Sequence, residues 1–379
     1  DTPPDATELA AELERHLAPI RHIEEALDVS RRWAHDRQFQ IGAQLLRGLI
    51  APAPAAAVLS DIAQVAINAL FPRIEADFAL QHGRFGGETL AVVAMGKLGG
   101  REMTPSSDLD LIFIYEVPAG MDASDGAKPL PPSQYFARLS QRLINSLTAL
   151  TAEGRLYEVD MRLRPSGNKG PLAVALDGFV RYQEEEAWTW EHMALARARA
   201  VAGPAGLRAR VTDAIRRVLA RARDPARLLK DAADMRARMA AERPSEALWD
   251  VKNLRGGLID IEFIVQCLQL RHGHAHPEIL APGTAEALAR IAAARLLDPA
   301  DAAALTRALA LWQALQAMVR LTIDPTQSRE GAAVFPEPLK RRLAAVGGAA
   351  DFARLEDAMR ATAQATAAVF RRLIETPAG

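Results

Sequence analysis

The segment from Gly96-Lys97-Leu98-Gly99-Gly100 to Ser107-Asp108-Leu109-Asp110 sets two carboxylates one residue apart behind a glycine-rich turn. In a strand, residues two apart project from the same face, so Asp108 and Asp110 are expected side by side. Adjacent carboxylates repel unless something positive sits between them. A divalent cation meets that need, and Mg²⁺ is usually held by one or two carboxylates together with substrate phosphates. Glycine lets backbone N–H groups approach an anion closely. Gly96, Lys97, Gly99, Gly100 and Ser107 are therefore the expected contacts for a triphosphate such as ATP. Asp160 falls on the polar side of a later alternating stretch, with Arg162 and Arg164 on the same side. Three acids from two strands, with two basic groups beside them, match two-metal phosphoryl-type transfer with Mg²⁺ (or Mn²⁺).

Each part has a plainer reading. An Asp-x-Asp pair at a strand edge is commonly solvated or capping, and a glycine turn alone is weak. Lys97 either reaches a phosphate or is a solvated turn lysine; Arg162 and Arg164 either meet phosphate or pair with acids of the fold. The combination separates this chain from chance: strand, glycine turn, paired acids opening an apolar strand, and a third acid on another strand.

The elements that must hold these residues are legible from periodicity. Residues 1–80 read as alanine-rich helix, interrupted at Ala51-Pro52-Ala53-Pro54, with a second run ending near Leu70. Thr89–Met95 and Leu109–Tyr115 have strand length and strand residues. A helix is expected from Ser133, with Phe136, Leu139, Leu143, Leu147 and Leu150 on one stripe. Leu156–Leu163 alternates apolar and polar residues as a half-buried strand does. Beyond about Asp177 the chain reads as helix broken at Pro204, Pro244, Pro277, Pro299 and Pro325. The outline is a small α/β unit between two helical regions: 1–80, 81–203 and 204–379.

Composition excludes some classes. Apolar residues are 49% and charged residues 25%, ordinary for a globular chain, and the net charge of −1 speaks against nucleic acid as main partner. No run is expected to reach the roughly 18 apolar residues of a membrane helix. The lone Cys267 forms no internal disulfide and fits a reducing, cytoplasmic setting. The chain starts at Asp1, with neither an initiator methionine nor a secretion leader, and so reads as a piece of something longer.

Gly96-Lys97 followed by Asp108-Leu109-Asp110 resembles the signature of the DNA polymerase beta-type nucleotidyltransferases, with Lys97 where that pattern usually has serine. Three blocks are similar to the glutamine synthetase adenylyltransferase family. They are Gly96–Phe113, Tyr157-Glu158-Val159-Asp160 to Arg164-Pro165-Ser166-Gly167, and Gly256-Gly257-Leu258-Ile259-Asp260-Ile261-Glu262-Phe263 to Gln266. Trp190-Glu191-His192 and Ala196-Arg197-Ala198-Arg199 look like further family positions. The resemblance implies an α+β fold, with a small mixed-sheet nucleotidyltransferase domain flanked by an N-terminal helical region and a C-terminal helical bundle. It implies Asp108, Asp110 and Asp160 as metal ligands and a tyrosine of glutamine synthetase as acceptor, deprotonated with help from Asp160. It also implies glutamine and the PII signalling protein as regulators. The Asp260-Ile261-Glu262-Phe263 and His192 positions resemble the adenylylating half of that family more than the adenylyl-removing half. Phosphorolytic removal of AMP, transfer to another acceptor, and a non-catalytic regulatory module remain the alternatives.

Asp260 and Glu262 are expected at the interface between the α/β unit and the C-terminal helices. They lie about 200° apart on a helix, so they cannot serve one spot. Glu262, in line with Gln266 and Gln269, either pairs with an arginine between the domains or faces the nucleotide. Trp188 and Trp190 read as core anchors, Glu184–Glu186 as a solvated face, and the spacing of His272, His274 and His276 does not suit two ligands on one helix face.

Overall fold

The computed structural model describes residues 3–87, 89–245, 247–323 and 335–376; the expected break at Pro325 lies outside them. Helices α1 (Ala6–Leu17), α2 (Ile23–Arg47) and α3 (Pro52–His82) come first. Asp5 starts α1 with a capping box to Glu8, satisfying backbone donors that a helix start leaves unpaired. Pro52 does not merely interrupt; it is the first residue of α3, where a missing N–H costs nothing. Nor does α3 stop near Leu70. It runs through Pro72, because Leu70, Phe71, Ile74 and Phe78 continue one buried apolar face. By length and composition α3 could cross a membrane, contrary to expectation, yet most of its apolar window is packed inside the protein, against α1 and α2 among others.

The sheet comprises β1 (Leu90–Ala94), β2 (Leu109–Tyr115), β3 (Val159–Asp160), β4 (Ala173–Ala175) and β5 (Arg199–Ala202). Antiparallel β1 joins β2 on one side and β5 on the other. Both β3 and β4 run parallel to β2, at its start and end respectively. The sheet is thus mixed, and the fold is α+β. Strands β1 and β2 are buried almost throughout, in keeping with their unbroken apolar runs. A short α4 (Gly96–Gly99) links them, and α5 (Pro132–Thr148) packs Phe136, Leu139, Leu143 and Leu147 inward. Leu150 lies beyond that helix and is exposed.

Two stretches depart from the sequence reading. The alternation of 156–163 makes only a two-residue strand, because Asp160 accepts from the Arg162 backbone N–H at 2.8 Å and turns the chain out of the sheet. Strand β5 falls where helix was expected; its Arg-Ala-Val-Ala residues carry no strand periodicity, and pairing with β1 decides their conformation.

Around the sheet lie α6 (Leu176–Glu185), α7 (Thr189–Leu195), α8 (Ala205–Leu219), α9 (Pro225–Glu242), α10 (Leu258–His272), α11 (Thr284–Ala293), α12 (Pro299–Thr322), α13 (Glu337–Val346) and α14 (Phe352–Phe370). Apolar on nearly every side, α10 forms the core of the C-terminal helices, touching α7, α9, α11, α12 and α14. Cys267 is buried on it.

Asp260 in the first turn of α10 is fully buried. It accepts from Arg236 Nε of α9 at 2.5 Å and from Gly256 N at 2.6 Å, with Arg255 at 3.4 Å. Gly256 adopts φ +81°, and a Cβ there would meet the Ala363 carbonyl oxygen at 1.9 Å, so α14 and α10 close together only over glycine. Removing one partner of a buried pair strands the other charge. Asp260→Asn is therefore expected to cost about 3–5 kcal/mol, read as a lower denaturant midpoint. An unchanged midpoint would show that the pair contributes nothing.

Candidate active site

The antiparallel β1–β2 pair pins the turn between them against the start of β2. Met95 N donates to Asp110 O at 2.9 Å, and Gly96 follows at φ +53°. A Cβ at Gly96 would sit 2.1 Å from Asp110 Oδ2, so glycine is needed there both for its conformation and to seat the carboxylate. The parallel register of β2 and β3 sets Asp110 directly opposite Asp160. Asp108 precedes β2 and is exposed; it does not line the cleft that Asp110 and Asp160 share, though its charge is felt by Asp110.

Charge is unbalanced at this point. Burial first, then the charges of Asp108 and Asp160, push the Asp110 carboxyl up to about 6. Asp160 behaves oppositely. Burial would raise it, but hydrogen bonds and charge from Arg162 outweigh burial and lower its pKa. Arg162 Nε donates to Asp160 Oδ2 at 2.7 Å. Among the described residues, no three acid, histidine or cysteine side chains form a ready-made cation cage. Asp160 is engaged with its arginine. The carboxylate chemistry nonetheless fits a hard divalent cation, and the raised Asp110 reflects its burial first and the neighbouring negative charges second.

Asp110, Asp160, Gly96 and Arg162 line one side of a cleft of about 460 Å³. Helices α7, α9 and α10 line the other, with Trp190, Met235, Met239, Ile259, Phe263 and Glu262. The lining combines charged groups with apolar and aromatic ones, as a cleft for an organic phosphate should.

Other expected contacts have been drawn elsewhere. Lys97 Nζ donates to Gln316 Oε1 of α12 at 2.8 Å, and burial, with Lys252 and Arg320 nearby, brings its pKa down to about 7. It is thus a buried lysine held by Gln316, not a solvated turn lysine. Ser107 Oγ accepts from Thr104 N at 2.8 Å and closes the loop. Gly99 and Gly100 pack against Arg197, which leaves no room for a side chain. Arg164 Nη1 donates to the Met161 carbonyl at 2.8 Å and holds the 161–170 turn. Trp188 is exposed and Trp190 lines the cleft; neither anchors the core.

Buried Arg197 joins the parts. It pairs with Glu102 from the glycine-turn segment and, at 2.9 Å, with Glu262 of α10. Burial opposes its charge, but the two acids outweigh that and raise its pKa. Glu262 thus meets the expected inter-domain arginine while also lining the cleft, and Asp260 turns away to Arg236. Lys252 and Asn253 also line the cleft and were not anticipated. The available signal was a lysine four residues before the Gly256-Gly257 pair that opens the third block.

Fold and cleft together define an α+β protein that gathers carboxylates on adjoining strands beneath a helical roof. A family model described as glutamate-ammonia ligase adenylyltransferase matches residues 1–214, more than half the chain, and the chain belongs to that family. A second, described as GlnD PII-uridylyltransferase, matches residues 230–374. Several curated relatives are bifunctional glutamine synthetase adenylyltransferase/adenylyl-removing enzymes. That of Xanthobacter autotrophicus is 45% identical over all of this chain and 38% of its own length. That of Mesorhizobium japonicum is 45% identical over 95% of the chain and 36% of its own. That of Rhodopseudomonas palustris is 43% identical over 98% and 37%. The chain thus spans well under half the length of these relatives.

The raised Asp110 carboxyl makes stability depend on pH in a definite direction. Its folded pKa, about 6, lies above the ordinary 3.8, so the folded state disfavours ionisation. Stability is full below about 4 and declines as pH rises through about 6. In chelator, Asp110→Asn should therefore raise stability at pH 8 by an amount on the order of 2–3 kcal/mol, read as a higher melting temperature, and leave it unchanged near pH 3.5. Identical pH profiles for the two proteins would refute the raised Asp110 carboxyl.

Proposed function

We propose that this chain transfers AMP from ATP to a tyrosine hydroxyl of glutamine synthetase and releases pyrophosphate. The carrying observation is the β2–β3 register, which sets Asp110 opposite Asp160 in a cleft lined by both charged and apolar side chains. Family membership and the names of the relatives support the reaction class.

Asp108, Asp110 and Asp160 would hold Mg²⁺ or Mn²⁺, which when bound supplies Lewis acidity and neutralises phosphate charge. The residues themselves do the rest. The apolar wall of Trp190, Met235, Met239 and Phe263 takes the base and excludes water. Asp160, kept ionised by Arg162, orients the acceptor hydroxyl. An ordinary tyrosine with a pKa of about 10 is a weak nucleophile at neutral pH, and Asp160 beside the cation would help take up the phenolic proton. The phenolic oxygen bonds to the α-phosphorus as the bond to the bridging oxygen breaks. Residues 81–203 would form the catalytic unit. Glutamine and the PII protein remain the proposed regulators, and the match of 230–374 to a PII-uridylyltransferase model supports a link to PII.

Direction is tested by incubating the chain with α-labelled ATP, Mg²⁺ and unmodified glutamine synthetase, and separately with adenylylated glutamine synthetase and phosphate. Label should enter protein in the first case, and no ADP should appear in the second. Robust phosphorolysis would assign the opposite, adenylyl-removing activity. Asp108→Asn and Asp110→Asn should each lower transfer more than about 100-fold, a barrier increase of about 3 kcal/mol, while the fold holds. Near-normal turnover in either would place the chemistry elsewhere.

A further inference from the structure

We infer that Lys252, carried by the loop before α10, is a phosphate-binding residue of the cleft, supplied by the helical part of the chain to a nucleotide seated on the sheet. The inference rests on the nucleotide reading above and adds a residue to it.

The argument begins with the other cations. Arg162 is bound to Asp160, Arg164 to backbone carbonyls, Lys97 to Gln316, and Arg197 to Glu102 and Glu262. Each of these four already has a partner inside the protein. Arg243, just past α9, lines the cleft without a side-chain partner among the described residues but is not among the main charges felt by Asp110. Lys252 differs. It lines the same cleft as Asp110 and Asp160, it is exposed, and among the described residues its ammonium has no hydrogen bond or ion pair. It nevertheless exerts the strongest attraction felt by Asp110, and it repels Lys97. An anion entering between these groups would gain from Lys252 without displacing any existing partner.

The loop is built to hold that ammonium in place. Lys252 O accepts from Ile259 N at 3.2 Å and Val251 O from Leu258 N at 2.9 Å, tying the loop to the first turn of α10. Arg236, which clasps Asp260, also donates to Asn253 O at 3.1 Å. Asn253 Nδ2 donates to both carboxylate oxygens of Asp250 at 3.0 Å. The buried Asp260 is thus a positioning residue at one remove. With the backbone fixed, only the lysine side chain must be ordered on binding, which lowers the entropic cost. Lysine suits the task as a compact point charge that follows a phosphate without a fixed approach geometry.

Equilibrium binding of ATP, ADP and adenosine to the 379-residue chain and to its Lys252→Met and Lys252→Arg variants tests the assignment, with melting temperature as a control of folding. Loss of one charged contact should weaken ATP and ADP about 10- to 100-fold. Adenosine affinity and melting should not change, and Lys252→Arg should restore most of the loss. In turnover, KM for ATP should rise more than kcat falls. Equal ATP affinity in Lys252→Met would overturn the assignment, as would a parallel loss of adenosine, which would mark general damage to the cleft. A parent chain that binds none of the three would overturn the nucleotide reading itself, an outcome separate from failure at Lys252 alone.

Discussion

One buried guanidinium holds this molecule's working parts in register. Arg197 lies just before β5, and its two acids come from far apart in the chain: Glu102 follows the glycine turn, and Glu262 sits on α10. Glu102 also accepts from Thr284 N at 2.7 Å, at the start of α11. Removing a guanidinium from water costs several kcal/mol, which only close, well-aligned carboxylates return. The arrangement is therefore stable only when turn, strand and helices are all in place. That couples the seat of Asp110 to the C-terminal helices, through a side chain almost wholly buried in the cleft wall.

The acids of the cleft obey the opposite logic. Around Arg197, positive and negative charge are matched; around Asp110 they are not, and its carboxyl is forced towards neutrality. A fold selected for stability alone would place an apolar or neutral residue there. Local destabilisation of this kind is what a site pays for binding charged ligands, because the charge a ligand brings is then compensated on arrival. The surrounding scaffold absorbs the cost: β1 and β2 are almost wholly buried, and Gly96 leaves Asp110 nowhere else to turn.

Two arginines show how context divides identical chemistry. Arg162 and Arg164 share one side of an alternating sequence, and both read equally as phosphate ligands. In the fold, Arg162 curls back onto Asp160, while Arg164 stitches together the turn that follows. The division arises because the strand ends at Asp160, after which strand alternation no longer governs side-chain direction.

Local chemistry was enough to locate β1, β2, the glycine turn and the acids Asp108, Asp110 and Asp160, since strand runs, glycine conformation and carboxylate repulsion act over a few residues. The helical flanks were legible for the same reason, through apolar periodicity. Glu262 was foreseeable as a polar residue on an apolar helix that must find a partner, and Asp260 as pointing away from it. Other features were not contained in any local stretch. Strand β5 forms because β1 offers it an edge; Lys97 is drawn inward by Gln316, far along the chain; Lys252 reaches the cleft because Asp260 and Arg236 fold its loop. Residue type and spacing by themselves determined the chemistry this chain can offer. Tertiary structure alone decided which charges are spent on holding the fold and which are left for a ligand, because that division depends on distances between segments that sequence order does not bring together.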